Sequence, residues 1–130
     1  MRDKDWQDLI HGLRDVDPAK SAAAAMQLHK SATAEDMARL MDLLNNDDFF
    51  VREAAAWPIS ALAGPSALRE LLVAYQRGLD DGHDNDGFTT ALIDLVETNA
   101  ATSREILQSL ACDTDPAVRE HATWLLDFCP

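Results

Sequence analysis

Two heptapeptides far apart in this chain are nearly the same. Val51-Arg52-Glu53-Ala54-Ala55-Ala56-Trp57 and Val118-Arg119-Glu120-His121-Ala122-Thr123-Trp124 agree at five of seven positions. Their offset, 118 − 51 = 67 residues, is too long for one helical hairpin and right for two. A fainter intermediate copy falls at Phe88-Thr89-Thr90-Ala91-Leu92, and an earlier one at Lys20-Ser21-Ala22-Ala23-Ala24. Asp17, Asp48, Asp86 and Asp115 each stand two or three residues ahead of a copy. A chain repeating at this period builds its core by stacking like units, each burying one face on its neighbours.

The units are helical. Apolar residues recur at helical spacing and no segment alternates as a strand. Start and stop signals predict about eight helices, near residues 4–14, 18–30, 34–45, 49–63, 65–79 and 87–99, a seventh following Thr102, and one near 116–128. Asp17-Pro18 and Asp115-Pro116 place a cap before a proline at the first helical position, where its missing N–H costs nothing. Thr33 with Asp36, and Thr102 with Glu105, have capping-box spacing. Gly64-Pro65 reads as a helix stop. Short loops make consecutive helices antiparallel pairs.

Asp115-Pro116-Ala117-Val118-Arg119-Glu120-His121-Ala122 resembles the opening of the first helix of a HEAT-like repeat, and Val51-Arg52-Glu53-Ala54-Ala55 is similar. Pro58 falls where that family commonly bends this helix. The period of about 30 residues is closest to the short variety of the phycobilisome-lyase type. The resemblance covers residues 17–130 and implies an all-α fold, a short right-handed α-solenoid of antiparallel helix pairs. It divides the chain as a single domain 1–130: a half-unit 1–16, repeats near 17–46, 47–83 and 84–113, and a half-unit 114–130.

On this layout the charge becomes asymmetric. The chain has 11 Lys+Arg against 23 Asp+Glu, a net charge of −12. Loops within a pair (30–33, 63–66 and 99–102) contain no acid. Loops between pairs contain Asp15, Asp17, Asp47, Asp48, Asp80, Asp81, Asp84, Asp86, Asp113 and Asp115. Helix capping accounts for about one aspartate per loop, each worth ~0.5–2 kcal/mol. The remainder, with Asp80, Asp81 and Asp84 in a loop some six residues longer than the period, reads as an acidic edge for a basic partner. That loop fails the EF-hand pattern: with Gly87 at position 6, position 1 is Gly82 and position 12 is Ile93.

Net charge argues against nucleic acid and against an anionic membrane as partners, since both are held by clustered Lys and Arg. No stretch approaches the ~20 apolar residues needed to span a bilayer, and no leader is evident before Trp6. The two cysteines, Cys112 and Cys129, end different helices, so reduced thiols and a cytoplasmic location are expected. The 47% hydrophobic content rules out a disordered acidic tail.

Catalytic signals are thin. His11, His29, His83 and His121 share no metal-ligand spacing with each other or with a cysteine. There is no phosphate-cradling glycine loop and no nucleophile elbow. The expectation is a non-catalytic protein-interaction module without cofactor, monomeric, binding a protein partner through a concave face and the acidic loops. An acidic immunity-type inhibitor of a basic toxin is its sharper form. Candidate contact residues are Asp47, Asp48, Asp80, Asp81 and Asp84 with the aromatic residues Phe50, Trp57, Tyr75 and Trp124. Tyr75 is placed on the concave face with Arg39 and Arg69. The alternative implied by the resemblance is a lyase subunit or chaperone for a tetrapyrrole chromophore.

Overall fold

The computed structural model describes residues 1–129 and contains α-helices and two 3-10 turns, with no strand among the described residues. The helices are α1 (Asp3–Leu13), α2 (Pro18–Ser31), α3 (Met37–Leu44), α4 (Phe49–Ala63), α5 (Leu68–Asp80), α6 (Asp86–Thr98), α7 (Ala100–Leu110) and α8 (Pro116–Leu126). The chain divides into two compact units, one of Met1–Leu62 and one beginning at Ala63.

In the first unit, α1 and α2 form an antiparallel hairpin around buried Leu13, Ala24 and Leu28. Gly12 permits their close approach: a Cβ there would stand 3.0 Å from the Cβ of Ala24. Trp6 is buried, and the Arg39 guanidinium lies over its ring at 4.6 Å. Arg39 also binds Asp36 at 2.6 Å, Asp3 at 3.2 Å and the carbonyl oxygen of Met1 at 2.7 Å. Asp36 is 1% exposed and receives the Met1 α-amino group at 3.1 Å. The Thr33 N–H donates to its other oxygen at 2.8 Å. Donors on both oxygens keep this buried carboxylate ionised. The capping box expected at Thr33 is therefore present, and the turn Ala34–Asp36 that it opens is 3-10 before α3 begins.

α4 is continuous through Pro58, whose ring removes one donor from the helix ladder. Gly64, at φ +61°, stops it in the left-handed conformation that side chains disfavour. The sequence reading runs the next helix from residue 65. The chain first makes a 3-10 turn, Gly64–Ala67, and α5 starts at Leu68.

The second unit packs α5, α6, α7 and α8 around Leu68, Leu71, Leu72, Phe88, Leu92, Val96, Leu107, Val118, Ala122 and Leu125, all essentially without solvent contact. The start expected for α7 is corrected here. Thr102 lies inside the helix, which begins at Ala100. Asn99 does both jobs at this junction. Its side-chain amide donates to the carbonyl oxygen of Leu95 at 3.0 Å, closing α6. Its own carbonyl accepts the N–H of Ser103 at 2.9 Å, opening α7. One residue thus replaces the loop that the Thr102–Glu105 box required. The cysteines are both free, Cys112 exposed and Cys129 buried.

Candidate functional site

The acidic loops share one geometry. Each carries a residue whose side-chain oxygen accepts the main-chain N–H two positions on, an Asx turn. Asp15 accepts from Asp17 at 2.8 Å, Asn46 from Asp48 at 2.9 Å, Asp84 from Asp86 at 3.0 Å and Asp113 from Asp115 at 2.9 Å. In three loops the second residue then caps the helix that follows. Asp17 Oδ1 accepts from Ala19 at 2.9 Å. Asp48 Oδ1 accepts from Phe50 at 2.9 Å and Val51 at 3.3 Å. Asp115 Oδ1 accepts from Ala117 at 2.9 Å and Val118 at 3.4 Å.

The arginine of the repeated heptapeptide belongs to the same construction. Arg52 Nη1 donates to the carbonyl oxygens of Asn46 at 2.9 Å and Asp47 at 3.1 Å. Arg119 Nη1 donates to those of Asp113 at 2.7 Å and Thr114 at 3.3 Å. The contacts reach six and five residues back in both copies. The Val-Arg signature is thus a staple between the first turn of a helix and the loop that leads into it. The surroundings differ: Arg52 is fully buried with the Phe49 ring 5.7 Å away, and Arg119 is exposed.

Capping alone leaves the further aspartates of the loops unexplained. The Asx turn accounts for Asp15, Asp84 and Asp113; in the 45–48 loop that place is taken by Asn46. Asp84, read from sequence as surplus to capping, orients the start of α6. The long loop departs from the others at its second position. Asn85 is drawn inward, donating through Nδ2 to the carbonyl oxygen of Tyr75 at 2.9 Å, and its own carbonyl accepts the first helical N–H, from Thr89, at 2.8 Å. Asp86 becomes the first residue of α6, where the neighbouring Asp84 carboxylate raises its pKa. Asp80 accepts from Gln76 at 2.7 Å.

Structural employment does not remove these carboxylates from solvent. Asp17, Asp47, Asp48, Asp80, Asp81, Asp84 and Asp86 are exposed. Asp113 meets Arg69 at 2.9 and 3.2 Å, and this guanidinium with the N–H of Asp115 holds its carboxyl below the usual range. Arg69, expected on an open concave face, is therefore committed to a loop, as Arg39 is committed to Asp36.

The aromatic candidates separate. Tyr75 is corrected from an exposed contact to a core residue, 8% exposed. Its ring stacks on Trp124 (5.9 Å, 12°), tilts against Phe88 (5.7 Å) and meets the edge of His121 (5.0 Å). Its hydroxyl bonds Thr89 Oγ1 at 2.9 Å. Trp124 is half-buried and meets Phe128 edge-on. His121 Nε2 pairs with Gln76 Oε1 at 2.7 Å, and burial lowers the His121 pKa. Tyr75 stands at i+7 from Leu68 on the apolar stripe that Leu71 and Leu72 share, so the helical period itself turns it inward, where three aromatic partners from α6 and α8 meet it. Phe50 is half-buried at the start of α4. Trp57 is half-buried, edge-on to His29 at 6.3 Å, and with Ala25, Met26, His29 and Ala54 it lines an open groove of about 250 Å³ between α2 and α4. The sequence reading missed Met26, which is 75% exposed beside this groove.

Among the described residues, no three His, Cys, Asp or Glu side chains converge as a metal site. Among the described residues, no helix is long and apolar enough to cross a membrane. No family model, curated protein or solved structure matches this chain.

Proposed function

We propose that the chain is a HEAT-like repeat module that binds a basic protein partner through its acidic loops, without catalysis. The observation that carries this reading is the pair of aspartate-rich loops in each unit, at 14–17 and 45–48 in one and 81–86 and 111–115 in the other. In these loops the exposed carboxylates of Asp17, Asp48 and Asp84 and the half-buried ones of Asp15 and Asp115 are held in fixed positions by Asx turns and helix caps. A carboxylate already ordered by its own backbone loses little further entropy when it meets a lysine or arginine. A net charge of −12 adds long-range attraction for a positive surface. The staple made by Arg52 and Arg119 in equivalent positions supports the repeat assignment.

The mechanism is surface complementarity: the partner's cations settle among pre-set carboxylates, and association is fast and salt-sensitive. An immunity-type inhibitor that masks a basic enzyme is the form that best fits so small and acidic a chain. Affinity capture from lysate on the immobilised protein tests the reading. Retention of a basic protein at low salt and its release as salt rises are expected; retention indifferent to salt would overturn it.

A further inference from the structure

Among the α-helices of the described residues, α2 alone carries no carboxylate side chain. Residues 18–31 contain Lys20, His29 and Lys30 and no carboxylate side chain, while Asp15 and Asp17 stand just ahead of the helix. The side of α2 that faces α1 is buried through Ala24 and Leu28. The opposite side is apolar and open. Ala19, Ala22 and Ala23 are exposed, Met26 is 75% exposed, and Val16 ahead of the helix is 98% exposed. The groove floored by Ala25, Ala54 and Trp57 runs alongside Met26.

This face does not suit the basic partner proposed above, since its only charges are positive. It suits itself. Laid antiparallel on a second copy about a point between Ala22 and Ala23, Met26 falls opposite Ala19, Val16 opposite His29 and Asp15 opposite Lys30 of the second copy, each contact made twice. A large side chain then meets a small one, negative meets positive at both ends, and the helix dipoles oppose. An interface in which residue i meets j and j meets i is the isologous kind that closes as a twofold dimer. Two chains of charge −12 repel least where carboxylates are absent, and the middle of α2 is such a place.

We infer that the exposed face of α2, with its groove, is covered by the same face of a second copy of this chain. The inference shares Asp15 with the acidic-loop reading, and the residues that test it, Met26, Ala22 and Lys30, lie outside the acidic loops.

Sedimentation of the full chain across a concentration series tests it. The expected species at high concentration has twice the 14.3 kDa of one chain. Met26→Glu and, separately, Ala22→Glu are expected to weaken association about tenfold or more, each replacing an exposed side chain so that circular dichroism stays native. Lys30→Glu is expected to weaken it about threefold or more, and Val73→Glu, an exposed apolar residue of α5, to leave it unchanged. A wild-type chain that stays at 14.3 kDa into the millimolar range would overturn the inference. So would natively folded Met26→Glu and Ala22→Glu variants that dimerise like wild type, or capture of a different protein by a crosslinker placed at Met26 while the wild-type chain stays monomeric.

Discussion

Arg119 reaches six residues back along the chain to donate to the carbonyl oxygen of Asp113 at 2.7 Å. Arg52 makes the same reach to Asn46 at 2.9 Å. One bond, repeated, gives a physical meaning to the most visible pattern in the sequence. The burial of the two arginines separates their energetic weight. Arg52→Met removes a fully buried guanidinium together with its two hydrogen bonds to the loop and is expected to cost ~2–3 kcal/mol. Arg119→Met removes an exposed guanidinium whose place water can take and is expected to cost less than about 1 kcal/mol. Urea unfolding of the two variants measures the difference; equal costs would deny the staple its dependence on burial.

The Asx turn and the cap make separable demands. An asparagine fills the turn position at Asn46, so Asp15→Asn should keep the turn and change stability by less than about 0.5 kcal/mol. Asp115→Ala removes the acceptor for two helical N–H groups and is expected to cost ~1–2 kcal/mol. Thermal melts compare them directly. A large loss for Asp15→Asn would mean that the charge, not the oxygen, matters at that position.

Gly64 sits at φ +61° with open space where a Cβ would go. Its conformation alone then sets the cost of Gly64→Ala, expected at ~1–2 kcal/mol. A neutral result in chemical denaturation would show that α4 can end without the left-handed residue.

Asp36 gives the fold an acid limit. Its pKa is lowered from 3.8 to about 2, by the Thr33 N–H first and then by Arg39 and the Met1 amino group, against the opposing effect of burial. The folded value lies below the unfolded one, so the stabilisation is present above about pH 4 and is lost as pH falls from there toward 2. Unfolding followed between pH 5 and 2 should be steeper in wild type than in Asp36→Asn, which has no proton to take up at that site. Parallel curves would place the acid sensitivity elsewhere. His121 acts in the same direction at higher pH: burial lowers its pKa below 6.5, so acidification through the unfolded value favours the unfolded chain.

What the sequence made legible follows the range of the interactions. α4 is observed at Phe49–Ala63, as its periodicity and the glycine stop require, and the caps at Asp17 and Asp115 are local signals that act where they are written. Thr33 and Asp36 are three residues apart and equally readable. The start of α7 misled because Thr102 and Glu105 carry the right spacing while Asn99, serving both helices, carries no pattern of its own. The burial of Tyr75 depends on partners 13 to 49 residues further along, at Phe88 and Trp124, and the tie of Arg39 to Met1 spans 38 residues. The tie of Arg39 leaves no periodic trace, whereas the inward position of Tyr75 is legible in its i+7 spacing from Leu68, and only its partners are not. Asp15, Asp84 and Asp113 were visible as residues but not as bonds, because an Asx turn and a spare surface charge look alike in one dimension.

The central claim is that these loop carboxylates, beyond shaping their own turns, are what a basic partner recognises. Asparagine separates the two roles, since it keeps the turn acceptor and removes the charge. The direct measurement is capture of the basic partner by a chain carrying Asp15→Asn, Asp80→Asn, Asp81→Asn and Asp84→Asn, at low and high salt beside wild type. The account predicts an unchanged melting temperature, sharply reduced retention at low salt and a shallower salt dependence. Retention equal to wild type with its salt dependence intact would contradict it and leave the aspartates as turn-formers alone.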